Sequence, residues 1–451
     1  MEAKKSIGII GMGDMGKMYA WRLSAAGWKV NACDMPERFE ALVEEFRSRV
    51  GHPSCTSYTN RAVLSLYQPN VEILRTGHLV SRVSDYIIYS VEAKNIDAVV
   101  KQFGPSTKLG AIVGGQTSCK APEIAAFERH LPSDVHIVSC HSLHGPKVDP
   151  KGQPLVLIKH RATDEAFEFV EMVLSCLNST HVYLTGEQHD RITADTQAVT
   201  HAAFLSMGAA WNANNQFPWE TARYIGGIEN VKINITLRIY AAKWHVYAGL
   251  AILNPDAQKQ IKQYAQSVTE LYKLMLGGHR EELRNRIMAA REAVFHTARP
   301  SKQEILLKED VLNQFSLGEL PEQRLKNNHL SLLAMVDCWW KLGIVPYDHM
   351  ICSTPLFRMW LGITEYLFRN NKLLEEAIDT AIDDNTFRHD DLEFTFAARD
   401  WSSRVTLGNF DGYREKFEAI QKYFEPRFPD ATKVGNEMIK TILAQTRERE
   451  T

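Results

Sequence analysis

Three histidines fall within nine residues of one segment, His136-Ile-Val-Ser-Cys-His-Ser-Leu-His, and Gly145-Pro146 follows directly. An imidazole titrates near neutrality, so His141 could take the proton of an alcohol while hydride leaves the same carbon; the alternative is a loop histidine bonded to backbone. His144 reads as part of the Gly-Pro turn, and His136 as a strand residue. A metal clip is not expected, because His141 and His144 precede a turn instead of lying four apart on a helix. Ser118, in "GGQTSCK", brings a hydroxyl beside Gln116, Thr117 and Lys120. Gln197 and His201 are four apart among Ala194, Ala198 and Ala202, which places them on one helical face with room for a ligand or for core packing. Arg238 lies in the apolar-rich "KINITLRIYAAKW" and requires a carboxylate, from the protein or from a substrate.

Such groups need elements to aim them. Short apolar runs at Ser6 to Ile10, Lys29 to Cys33, Tyr86 to Ser90, Gly110 to Gly114, Val135 to Cys140, Leu155 to Lys159 and Val182 to Leu184 alternate with helical patterns, which predicts a mainly parallel sheet covered on both faces. In such a sheet ligands gather beyond the carboxyl ends of the strands. The first strand is followed by Gly11, Met12, Gly13, Asp14, Met15 and Gly16, a GxGxxG loop opening a helix, and the second ends at Asp34. Gly11 permits the turn, Gly13 lets amides approach a pyrophosphate, and Gly16 lets the helix pack on the sheet. Ser90, Val91 and Glu92 follow a third strand, Gln116 and Ser118 a fourth, and His141 a fifth. Asp34 favours NAD through the ribose hydroxyls, whereas Arg38 favours a 2′-phosphate, so spacing leaves NAD and NADP both open.

After Glu187 the pattern becomes helical. Asn254 and Pro255 open a helix carrying Ile261, Tyr264, Val268, Leu271 and Met275 on one stripe, ended by Gly277-Gly278, and Thr354-Pro355 open another. The expectation is an α/β, Rossmann-type dinucleotide domain over 1–186 and an all-helical domain over 187–451, without internal repeats. Ser316 to Asn328 reads as a surface loop. With 45% hydrophobic and 24% charged residues and a formal charge of −2, nothing marks a nucleic-acid or membrane-surface partner. Seven cysteines form no CxxC pair, no window holds 18 uncharged apolar residues, and "MEAKKSIGIIGMG" passes straight into a strand. A cytosolic protein acting on a small molecule is expected.

"GQTSCK", "HSLHGP", the "HD" pair followed eleven residues later by His201, and Arg238 together resemble the prephenate dehydrogenases of tyrosine biosynthesis, in the family's order. "SDYIIYSVEA", "DTQAVTHAAFLSMG" and "DHMICSTPLFR" extend the similarity to the longer, single-activity fungal enzymes. The resemblance implies oxidative decarboxylation of prephenate with NADP, His141 taking the bond from the ring hydroxyl and Ser118 bonding nearby. It also implies Arg238 on a substrate carboxylate, His201, Gln197 and Lys120 shaping the substrate pocket, and a homodimer built through the helical domain. Ala198 stands where many bacterial members have a second histidine, and no regulatory module is recognisable, which puts tyrosine feedback in doubt. "GMGDMG" is also similar to the loop of β-hydroxyacid dehydrogenases, whose interdomain lysine is here replaced by His201. A non-catalytic nucleotide sensor would need the loop but neither His141, Ser118 nor Arg238.

Overall fold

The computed structural model describes residues 5–48, 70–146, 148–296, 313–320 and 325–438, so Cys55 and residues 321–324 of the polar stretch lie outside it. The chain forms two units, Met1–Asp190 and Arg191–Thr451.

The first unit contains β1 (Ser6–Ile10), β2 (Lys29–Cys33), β3 (Val71–Ile73), β4 (Tyr86–Tyr89), β5 (Ile112–Gly115), β6 (His136–Ser142), β7 (Pro154–Arg161) and β8 (Thr180–Tyr183) in one sheet of order β3-β2-β1-β4-β5-β6-β7-β8. Every pairing is parallel except β6 with β7. Its helices are α1 (Asp14–Ala25), α2 (Phe39–Ser48), α3 (Gly77–Val83), α4 (Ile96–Phe103), α5 (Lys120–His130), α6 (Asp164–Leu174) and α7 (Gly186–Thr193), the last of which crosses the boundary. Both faces of the sheet are buried, which is why the strands read as unbroken apolar runs. Ile7, Ile9, Tyr86 and Ile88 pack with Tyr19 and Leu23 of α1 and Phe169 and Val170 of α6; Ile10, Ile87, Tyr89 and Val113 pack with Val100 of α4 and Phe127 of α5. Each such side chain contributes about 1.5–3 kcal/mol. The strand β3 was not anticipated: three residues with a central Glu72 carry no hydrophobic run, and pairing to β2 forms it.

The second unit is helical, with α8 (Val199–Ala213), α9 (Ile228–Tyr240), α10 (Trp244–Leu253), α11 (Pro255–Leu276), α12 (Arg280–Arg291), α13 (Leu330–Leu342), α14 (Pro355–Arg369), α15 (Asn371–Asp383), α16 (Arg388–Thr406) and α17 (Phe410–Phe424). The Asn254 and Thr354 side chains cap α11 and α14 as their sequence predicts, Asn254 accepting from the amides of Asp256 and Ala257, and Thr354 from that of Phe357. Asn327 and Asn328, placed by sequence in a surface loop, are buried, and their side-chain oxygens accept from the amides of His329 and Leu330 at the start of α13.

The expectation of no internal repeat is corrected here. Helices α8 to α12 recur as α13 to α17 in the same order. The turn after α11 bonds Gly277 to Lys273, Gly278 to Met275, His279 to Leu274 and Leu283 to His279; the turn after α16 bonds Leu407 to Ser403, Gly408 to Val405, Asn409 to Arg404 and Tyr413 to Asn409, each 130 residues on. Gly278 and Gly408 both adopt left-handed φ, 65° and 63°. Packing is reciprocal, since α11 lies on α13 while α16 lies on α8, α10 meets α17 while α12 meets α15, and α11 and α16 pack on each other. Few side chains are shared across the 130-residue offset, so the repetition resides in helix lengths and caps and escapes a reading of residue types.

Candidate active site

The glycine loop leaves β1 and enters α1. Gly11 has φ 102°, and a Cβ there would stand 2.3 Å from the Ser90 carbonyl oxygen; a Cβ at Gly16 would stand 2.0 Å from the Gly11 carbonyl oxygen. Gly13 is the opposite case, with open space around its Cα and no side chain capping α1, which leaves the first-turn amides turned to a cradle that suits a pyrophosphate. Ser90 donates to the Gln116 side-chain oxygen at 2.9 Å, tying the ends of β4 and β5, and the buried Gln116 Nε2 has no partner. The Asp34 carboxylate accepts from the amides of Met12 (2.8 Å) and Met35 (2.7 Å) and from Arg38 Nη1 (2.5 Å). It thus fastens the loop and holds Arg38, whose side chain remains 39% exposed beside it. An acid so occupied gives no preference for free ribose hydroxyls, and the neighbouring guanidinium suits a 2′-phosphate.

His141 lies inside β6, paired with Val156 of β7, and not in a loop beyond the strand. Its Nδ1 is 2.7 Å from His189 Nε2, and His189 Nδ1 is 2.8 Å from Asp190 Oδ1. A carboxylate only accepts, so His189 carries its proton on Nδ1, its Nε2 accepts, and the proton between the rings belongs to His141 Nδ1. The Nε2 of His141 is left with a lone pair, as a proton acceptor requires. Burial, followed by the neighbouring His189 and Lys120, pushes the His141 pKa well below 6.5. Burial likewise lowers that of His189. For Asp190 the burial that would raise its pKa is outweighed by His189 and by the amides of Lys120 (2.6 Å) and Ala121 (2.7 Å), and the carboxyl stays below its usual range.

Sequence reasoning met the His189-Asp190 pair without giving it a role. The available signal was a His-Asp dipeptide at the start of a helix. Lys120 is a correction. Expected at the substrate, it is fully buried, and its ammonium donates to the carbonyls of Gly115 (3.1 Å) and Cys140 (2.9 Å) and to Glu123 (2.9 Å). Glu123, another residue sequence reasoning passed over, also accepts from Thr117 and Ser139. This network joins β5, β6 and α5 beneath the site. Ser118, half-buried at the end of β5, makes no hydrogen bond among the described residues. His144 donates Nδ1–H to the Gly145 carbonyl at 2.9 Å, and burial lowers its pKa.

Gln197, His201 and Arg238 belong to the second unit. Gln197 lies in a π-helical turn, Ala194–Ala198, between α7 and α8, and its Nε2 has no partner; such turns frequently mark functional positions. His201 meets the Tyr247 ring edge-on at 4.8 Å, beside a cavity of about 270 Å³ lined by Ala198, Ala202 and Ala251. Burial brings its pKa to about 4, and its Nδ1 is unpartnered. Arg238, whose pKa burial also lowers, donates to Asn436 at 2.6 Å and meets no carboxylate among the described residues.

A Rossmann-type sheet with this glycine loop, and an imidazole poised to accept a proton at the strand ends, defines a dinucleotide-dependent dehydrogenase. Residues 198–444 match a family described as a 6-phosphogluconate dehydrogenase C-terminal domain, and residues 7–114 match ketopantoate reductase PanE/ApbA. The chain is 55% identical over 98% of its length to "Probable prephenate dehydrogenase [NADP(+)]" of Schizosaccharomyces pombe, covering 99% of that protein. It is 53% identical over 99% of its length to "Prephenate dehydrogenase [NADP(+)]" of Saccharomyces cerevisiae, covering 96% of it. A crystal structure of prephenate dehydrogenase from A. aeolicus, in complex with hydroxyphenyl propionate and NAD+, superposes with a TM-score of 0.47 at 17% identity over 63% of this chain and 94% of that one. The chain belongs to the prephenate dehydrogenase family.

Proposed function

We propose that this chain oxidatively decarboxylates prephenate to 4-hydroxyphenylpyruvate and CO2 with NADP as hydride acceptor, the reaction named for its relatives at 55% and 53% identity. The observation that carries the chemistry is the His141–His189–Asp190 chain, which leaves His141 Nε2 basic. Prephenate has a ring hydroxyl opposite a quaternary carbon bearing a carboxylate. The bound nicotinamide takes the hydride from the hydroxyl carbon. His141 Nε2 takes the hydroxyl proton, and the carboxylate departs as CO2, leaving its bonding pair to complete an aromatic ring. Aromatisation makes the step downhill, so orientation and relief of one proton are sufficient. Ser118 has its hydroxyl free for the same oxygen, and Arg238, lacking a protein carboxylate, is the candidate for a substrate carboxylate. Gln197 and His201 are proposed to shape the pocket; Gly11 to Gly16, Ser90, Val91 and Gln116 to hold the dinucleotide; and Arg38 to hold its 2′-phosphate.

Steady-state turnover of prephenate with each cofactor tests this. A higher kcat/KM with NADP than with NAD is expected, and a fall of about 10²-fold or more for His141→Asn. No turnover, or a rate unchanged by that substitution, would sink the assignment. A cytosolic setting is proposed with it, since the six described cysteines are all unpaired, and expression as a fluorescent fusion would show another compartment. A homodimer through the second unit is proposed on the exposed Leu392 and Phe396, one turn apart on α16, and sedimentation velocity distinguishes one chain from two.

A further inference from the structure

The second unit contains a polar pocket that shares no residue with the proposed active site. It has an empty volume of about 470 Å³, part of it open to solvent, and its walls come from α8, α9, α13, α16 and the turn before α9. Arg223, on that turn, lines it. The residue is only 4% exposed, yet its guanidinium makes no hydrogen bond or ion pair among the described residues, and its Nε is a buried donor without an acceptor. Its neighbours are π-faces, with the Phe387 ring 4.3 Å and the Tyr224 ring 5.8 Å away. Stacking favours the cation but does not use the in-plane N–H groups. Arginine does not shed its proton, so a buried guanidinium without an anion is costly, and the group that relieves it is a ligand anion.

The other walls narrow the ligand. Lys232 is already committed, donating to Glu229 at 2.7 Å, with His329 at 3.3 Å. Asp390 is supplied by neutral donors, Asn214, Gln216 and the Tyr224 hydroxyl, and Asp391 by Asn328, which donates to both its oxygens. One unused cation beside two carboxylates disfavours a phosphate dianion and favours a ligand carrying a carboxylate together with an ammonium. Burial raises the Asp391 pKa to about 6, so a nearby ammonium would be favourable there. Trp211, Met207 and Phe394 add an apolar wall. His329 holds a left-handed φ of 50° at the rim, a strain that side chains other than glycine keep only where surrounding structure enforces it.

We propose that this pocket binds a free L-α-amino acid with an apolar or aromatic side chain, its carboxylate on Arg223 and its ammonium toward Asp391. The site is independent of the dehydrogenase reading. Titration calorimetry on the full-length protein, with L-leucine, L-methionine, L-phenylalanine, L-tyrosine and L-tryptophan as probes, reads it without turnover. At least one probe is expected to bind one per chain, with affinity falling about tenfold or more in Arg223→Gln and in Asp391→Asn, and unchanged in Arg238→Gln. Phenethylamine, lacking the carboxylate, and 3-phenylpropionate, lacking the ammonium, are expected to bind at least tenfold more weakly at this site than L-phenylalanine. Arg223→Gln is expected to melt no lower than the unsubstituted protein without ligand, because it removes an unpaired buried charge; if it does not fold, Asp391→Asn reads the site from its other end. Binding by none of the five amino acids, equal binding in both variants, or 3-phenylpropionate bound as tightly as L-phenylalanine and equally sensitive to Arg223→Gln, each overturns the proposal.

Discussion

At the residue scale the decisive relation is between His141 and a partner 48 residues away, His189, whose own orientation is set by the next residue, Asp190. Because His141 must be neutral to accept a proton, and its pKa is held well below 6.5, the acid limb of kcat/KM should lie below that pH. His189→Asn, too short to keep the bond, removes a neighbour that depresses the His141 pKa, so the limb should move to higher pH. The orientation of the ring is lost at the same time, and the plateau should fall about 10²-fold. A pH–rate profile identical to that of the unsubstituted enzyme would mean that the two imidazoles do not act together. Composition and spacing pointed to His141 as a candidate base, but not to its partner, because a His-Asp pair on a helix has no meaning until the chain brings it to β6. Asp34 shows the reverse limit. Its position at the end of β2 was legible, while its use depends on three donors that only the folded loop presents.

The elements explain why a residue of suitable chemistry is not thereby a ligand. Lys120 follows the strand-end motif and carries a charge, yet it opens α5 and points into the junction of β5 and β6, where Glu123 and two carbonyls consume its donors. Lys120→Met leaves the Glu123 carboxylate buried without its cation, at a cost of about 3–5 kcal/mol. In a unit of this size that lowers Tm by roughly 10 °C, with KM for prephenate unchanged well below the transition. An unchanged Tm with a raised KM would restore Lys120 to the substrate. The apolar strand runs and the Asn-Pro and Thr-Pro helix starts were legible because their signals are local. The three-residue β3 and the π-helical turn at Gln197 were not, since pairing and packing create them and no residue pattern announces either.

At the scale of the whole molecule, the second unit buries its helices by reciprocal pairing of two five-helix halves, so one chain contains the kind of self-complementary packing that separate subunits form in an isologous dimer. The first unit closes differently, and its limit is set by one side chain. The N-cap position of α5 is Cys119, which supplies no capping bond, and the amides of Lys120 and Ala121 are satisfied instead by Asp190, 70 and 69 residues along the chain. A boundary at 186, where the hydrophobic pattern changes, would cut that carboxylate away. A fragment of residues 1–193 should therefore be more stable than one of residues 1–186 by about 2 kcal/mol, the worth of a charged cap with two short bonds. That corresponds to a Tm roughly 4–8 °C higher in a thermal melt. Asp190→Ala in the longer fragment should bring it down to the shorter one. If the two fragments melt together, or if the substitution leaves the longer one unchanged, the first unit is closed by something other than Asp190, and the composition change at Glu187 is its true edge.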